Sequence, residues 1–138
     1  MLRMALLAIV FGFILVVALI LRGSLRTPVR SSRRQAQAVL VVREPGGTGL
    51  APGASFALAG TMTIGRVPAC SIALADVSVS TRHAVIALTP KGWRLSDSGS
   101  TNGTLIDGRR VPSTGAALRD GQFIGVGSVE FEFRTGGA

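Results

Sequence analysis

Tyrosine is absent from this chain of 138 residues, and cysteine, histidine and tryptophan occur once each. Each shortage excludes something. Without tyrosine, phosphorylation of that residue plays no part in regulation. Cys70 alone cannot close a disulfide within the chain, and Cys70 with the lone His83 cannot assemble a Cys/His metal cluster. The usual catalytic sets are missing too: there is no second histidine, no paired carboxylates in a motif and no GxxxxGK[ST] phosphate loop. The expectation is therefore no enzymatic activity, no cofactor and no metal, with Cys70 a small buried hydrophobe.

Acidic residues are scarce, seven against 15 Lys and Arg, for a net charge of +8. The imbalance is uneven. Residues 1–37 hold six arginines and no acid, whereas residues 38–138 hold nine basic and seven acidic residues, a balance of +2. No aromatic stacking platform is interleaved with the basic residues, so nucleic acid is not an expected partner.

The N-terminal part does have one long apolar run. Residues 4–21, MALLAIVFGFILVVALIL, are 18 positions without a charge. About 20 apolar residues cross a hydrocarbon core as a helix. The run exceeds the ~7–15 residues of a signal-peptide core, and no small-x-small cleavage site follows. Residues 1–21 are therefore expected to be a retained transmembrane helix. Only Arg3 precedes the run, whereas five arginines follow it by residue 34. The positive flank stays cytoplasmic, which places the C-terminal part on the inner side of the cell membrane in a single-pass chain. Those arginines can also touch anionic head groups, at about 1 kcal/mol each. Residues 22–37, polar and basic with Pro28, form a juxtamembrane linker that would span about 20–24 Å as a coil.

From residue 38 the pattern changes to short apolar runs cut by Gly, Pro, Asp and Asn. Strands are expected over residues 38–43, 54–58, 62–65, 84–88, 92–97, 104–106, 122–126 and 129–134. In the last, Val129, Phe131 and Phe133 alternate with Glu130, Glu132 and Arg134, a period of two. Trp93 and Leu95 flank Arg94 in the same way. No helical period appears over 11 or more residues. The pattern predicts an all-β, antiparallel sandwich or barrel with one core in about 100 residues. Phe56, Trp93, Phe123, Phe131 and Phe133 all fall in strands and are read as packing.

Three polar loops stand out. "TIGR" ends a strand at Arg66, "VSVSTRHAVI" carries Ser80 to His83, and "SDSGSTNGT" lies between two strands. Singly they are ordinary: a solvated arginine, a turn with a satisfied histidine, and an Asn-Gly turn with positive φ. Together, Gly65-Arg66, Ser80-Thr81-Arg82-His83 and Asp97-Ser98-Gly99-Ser100-Thr101-Asn102-Gly103-Thr104 resemble the forkhead-associated (FHA) domain over residues 38–138. The resemblance implies an eleven-stranded β-sandwich that binds phosphothreonine peptides through loops at one end. It implies that Arg66 and Ser80 bind phosphate, with Thr81 or Arg82 assisting. Thr101 would lie beside the phosphothreonine and Asn102 would hold the peptide backbone. Gly65, His83 and Gly103 would support the site. The sequence departs mildly from the family at Ser98, where a bulkier residue is frequent, and after Cys70, where an acid is often found.

The chemistry is consistent with that role. A phosphate with nearly two negative charges needs several directed donors. Three or four hydrogen bonds to charged groups, at about 1.5–3 kcal/mol each, less the cost of ordering a peptide, give about −8 kcal/mol, near micromolar. The whole sequence is similar to small bacterial membrane-anchored FHA proteins that work with Ser/Thr kinases in cell-wall synthesis and division. The expectation is a phosphothreonine-peptide binding module, held at the membrane by its helix, that recruits phosphothreonine-containing proteins. The alternative is a phosphate-independent membrane scaffold.

Overall fold

The computed structural model describes residues 2–24 and 37–136. The chain divides into two units, Met1–Arg30 and Ser31–Ala138. In the first, helix α1 spans Leu2–Ser24, 23 residues. Its described side chains, Arg3 to Leu19, are all exposed. Among the described residues no helix is long and apolar enough to cross a membrane. The crossing expected over residues 4–21 runs past Leu19, the last described side chain of α1. Most of the linker expected over residues 22–37 lies outside the described residues.

The second unit is a sandwich of eleven strands: β1 Ala38–Glu44, β2 Ser55–Leu58, β3 Thr61–Gly65, β4 Ile72–Ala73, β5 Ala84–Thr89, β6 Gly92–Asp97, β7 Thr104–Ile106, β8 Arg109–Arg110, β9 Ala116–Ala117, β10 Phe123–Val126 and β11 Val129–Thr135. One sheet has the order β2-β1-β11-β10-β7-β8 and the other β4-β3-β5-β6-β9. All pairs are antiparallel except β3 with β4, which run parallel through Ile64↔Ile72 and Gly65↔Ala73. That pair departs from the antiparallel expectation.

Alternation decides what is inside. Leu40 and Val42 of β1, Ile86 of β5, Leu95 of β6, Ile124 and Val126 of β10, and Phe131 and Phe133 of β11 are fully buried. Trp93 of one sheet meets Phe133 of the other edge-on, with centroids 6.5 Å apart. Phe56 meets Phe131 at 6.2 Å. Edge-to-face pairs of this kind add about 0.5–1.5 kcal/mol beyond the area they bury. Phe123 is a correction to the packing expectation. It is 41% exposed, because the inward phase of β10 belongs to Ile124 and Val126.

The register also aligns one end of the sandwich. Ile64, Ala84 and Asp97 are neighbours across β3, β5 and β6. Thr104 pairs with Val126 in the other sheet. Residues 98–103 therefore cross between sheets at the end where β3 stops and β5 begins.

Candidate functional site

The site begins with a close approach at Gly65. A Cβ there would lie 2.2 Å from the Thr81 carbonyl oxygen and 2.8 Å from Cys70 Sγ. Only glycine lets these segments touch. The contact is closed by two backbone bonds, Arg66 N–H to Ser80 O at 3.0 Å and His83 N–H to Ile64 O at 2.8 Å. Cys70 is buried and its thiol donates to Thr81 O at 3.4 Å.

His83 is fully buried and works as a strut. Its Nδ1 accepts the Ser80 N–H at 3.1 Å, so the proton sits on Nε2, which donates to Gly103 O at 2.9 Å. One ring thus fixes the Ser80 loop to the Gly103 turn. Ser80 Oγ accepts the Thr101 N–H at 3.1 Å, which leaves its own O–H free to donate outward. Asn102 is exposed and its Nδ2 donates to Ser78 O at 2.8 Å, leaving Oδ1 to accept from another chain. Gly103 has φ of 80°, a conformation glycine adopts without strain.

Arg66, Thr81, Arg82 and Thr101 are all exposed around this frame. Among the described residues the ion pairs are Arg43–Glu132 and Arg134–Glu132, so neither Arg66 nor Arg82 is neutralised. The structure thus brings Arg66, Ser80, Thr81, Thr101 and Asn102 onto one surface by direct bonds or chain adjacency, with Arg82 next to them in sequence. Gly65, His83 and Gly103 lie buried beneath.

Residues 48–137 match, and so belong with, the Yop-YscD cytoplasmic-domain family, described as the inner membrane component of T3SS, cytoplasmic domain. Over 117 residues the chain is 35% identical to the FHA domain-containing protein FhaB of Mycobacterium tuberculosis, covering 84% of this chain and 71% of FhaB. The chain belongs to the FHA domain family. Solved FHA structures agree. Mycobacterium tuberculosis EmbR in complex with a low affinity phosphopeptide superposes with a TM-score of 0.67 at 28% identity, over 80% of this chain and 29% of EmbR. The FhaA FHA domain complexed with the intracellular domain of Rv3910 gives 0.59 at 31% identity, over 70% of this chain and 99% of that one. Other curated relatives are longer, and the chain spans 9% and 47% of the length of two of them.

Two carboxylates organise these loops: Asp97, which opens the third motif without an assigned role there, and Asp76, which the sequence reading did not single out. Asp97 Oδ1 accepts the Ser100 hydroxyl and, at 2.7 Å, the Thr104 hydroxyl. Its Oδ2 accepts the Gly99 and Ser100 N–H groups at 3.0 Å each. Burial pushes the Asp97 carboxyl up, but these hydrogen bonds outweigh it and hold the group below its ordinary value. Asp76 joins three loops. It accepts from the hydroxyl of Ser128 at 2.6 Å, the hydroxyl and N–H of Ser78 at 2.5 and 2.7 Å, and the Gly47 N–H at 2.6 Å. The Ser128 and Ser78 bonds lead in holding it well below the usual carboxylate range. Since Ser78 O receives Asn102, this cluster supports the exposed Asn102 amide from behind. The D-x-S spacing of Asp76 and Ser78 is an Asx-turn signal and was legible; its partners Gly47 and Ser128 were not.

Proposed function

We propose that this chain is a phosphothreonine-peptide reader, anchored in a membrane, that recruits phosphoproteins in Ser/Thr-kinase signalling. The observation that carries it is the pair of unneutralised, exposed guanidiniums of Arg66 and Arg82 beside the free Ser80 hydroxyl and the half-used Asn102 amide. A dianion seated there gains charge-assisted bonds without displacing an internal partner. The phosphopeptide complex of EmbR and the FhaA complex support the same use of the fold. The test is a titration of residues 38–138 with phosphothreonine, phosphoserine and unmodified forms of one peptide. Phosphothreonine should bind tightest, and Arg66→Ala should weaken it by about tenfold or more. Equal binding of all three forms, unchanged in Arg66→Ala, leaves the phosphate-independent scaffold instead.

Membrane anchoring rests on α1. The support is in the sequence: residues 4–21 are 18 positions without a charge, near the about 20 apolar residues that cross a hydrocarbon core. Its described apolar side chains are exposed. The family description, a cytoplasmic domain of an inner membrane component, supports an inward-facing FHA domain. Protease added to intact cells should spare the domain, and protease added to inverted vesicles should remove it. The reverse pattern rejects the orientation, and recovery in the soluble fraction rejects the anchor. We extend the reading to cell-wall synthesis or division on the resemblance to small membrane-anchored bacterial FHA proteins. Capture of a protein of those processes, dependent on phosphorylation and on Arg66, checks that extension.

A further inference from the structure

Three arginines are left over by the phosphate site. Arg109, Arg110 and Arg119 line one cleft of about 640 Å³ where β8 edges the six-stranded sheet and β9 the five-stranded one. All three are exposed, and none takes part in an ion pair among the described residues. The acid that shares the cleft is Asp107, and both its oxygens are occupied. Oδ1 accepts the Phe123 N–H at 2.9 Å and Oδ2 accepts Gln122 Nε2 at 3.1 Å. Three guanidiniums against one carboxylate leave the recess net positive, and a net positive recess raises the local anion concentration.

The cleft is also continuous with the phosphate loops. Arg110 lies across from Leu105 in the β7–β8 pair. Its guanidinium packs so closely on Gly103 that a Cβ there would fall 2.8 Å from Nε and 3.0 Å from Nη2. Gly103 follows Asn102, the amide that faces the peptide. A ligand passing Asn102 therefore meets Arg110 next, and beyond it Arg109 and Arg119.

We propose that this cleft is a second anion subsite, which takes the Asp and Glu side chains of the same peptide whose phosphothreonine sits at Arg66 and Ser80. The inference rests on the phosphothreonine reading above. Guanidinium forks match carboxylates in bidentate geometry, and a recess suits single side chains better than a flat lipid surface does. At about 3.3 Å per residue of extended chain, a peptide that passes over the outer face of the three-residue β7 reaches the cleft roughly three to six residues from the phosphothreonine.

The test uses the full chain in detergent micelles and fluorescence anisotropy. One phosphothreonine peptide has neutral flanks, and two others carry a glutamate run three to six residues away, before or after the phosphothreonine. One of the acidic peptides should bind about tenfold tighter than the neutral one at low salt. The gain should vanish at about 0.5 M salt and in an Arg109→Ala, Arg119→Ala double variant. That variant should keep its melting temperature and its affinity for the neutral peptide. Absence of a gain from either acidic run, or a gain that survives the double variant, overturns the inference while phosphothreonine binding stands. If Arg66→Ala leaves all three peptides unaffected, both readings fall. If the double variant loses only binding to anionic vesicles, the cleft is a lipid contact and the inference is overturned.

Discussion

At the scale of single residues, the candidate site separates exposed polar side chains from buried ones that hold the frame. Arg66 is exposed and, among the described residues, its hydrogen bond to the protein is made by its backbone N–H, so Arg66→Ala should cost affinity and leave stability nearly unchanged. His83 is the opposite case. It is fully buried and satisfies two backbone groups, the Ser80 N–H and the Gly103 carbonyl. His83→Ala orphans both, and each unsatisfied buried group costs about 1–3 kcal/mol. The variant should lose about 2–4 kcal/mol of stability in denaturant unfolding, and phosphopeptide binding should fall although His83 touches no ligand. A loss below about 1 kcal/mol would show that the strut is dispensable. The same contrast explains what the sequence could not show. Arg66, Ser80 and Asn102 stand in short recognisable stretches. Asp76 is 29 residues from Gly47 and 52 from Ser128, a clustering that only the folded loops produce.

Among the elements, length decided legibility. Eight strands were readable, and the three that were not, β4, β8 and β9, have two residues each, too few to show a period. They matter beyond their size: β8 and β9 are the sheet edges that frame the arginine cleft. The outward phase of Phe123 was missed for a related reason, since both Gln122 and Phe123 fit the apolar–polar alternation until the pairing Ile124↔Ile106 fixes which face is inside. The loop of residues 98–103 is the element whose shape depends most on charge. Asp97 and Asp76 both have carboxyls held below their ordinary value of 3.8. A depressed folded-state pKa means that the stabilisation is complete above the unfolded value and is lost as pH falls through the folded one. The melting temperature should therefore be level from neutral pH down to about 5 and drop below about 4. Asp97→Asn should lower the melting temperature at neutral pH and flatten part of that drop, because an amide cannot accept four donors. An acid limb identical to that of the unaltered chain would remove Asp97 from the account.

On the scale of the whole molecule, charge and burial are divided between parts. The N-terminal 37 residues carry +6 of the net +8, whereas the FHA domain is close to balanced and places its free arginines around one end and one edge. The lone tryptophan and the lone cysteine are divided as well. Trp93 is wedged between the two sheets against Phe133 and can change its surroundings only when the sandwich parts. Cys70 sits at the end of the sandwich that carries the Ser80 and Gly103 loops, its thiol closed on the Thr81 carbonyl beside Gly65. The chain thus contains one native reporter of global opening and one of local opening, with no labelling site to engineer. Alkylation of Cys70 should proceed under conditions where Trp93 fluorescence is still native, and a bound phosphopeptide should slow it. The thiol's reaction rate then measures how often the recognition end breathes.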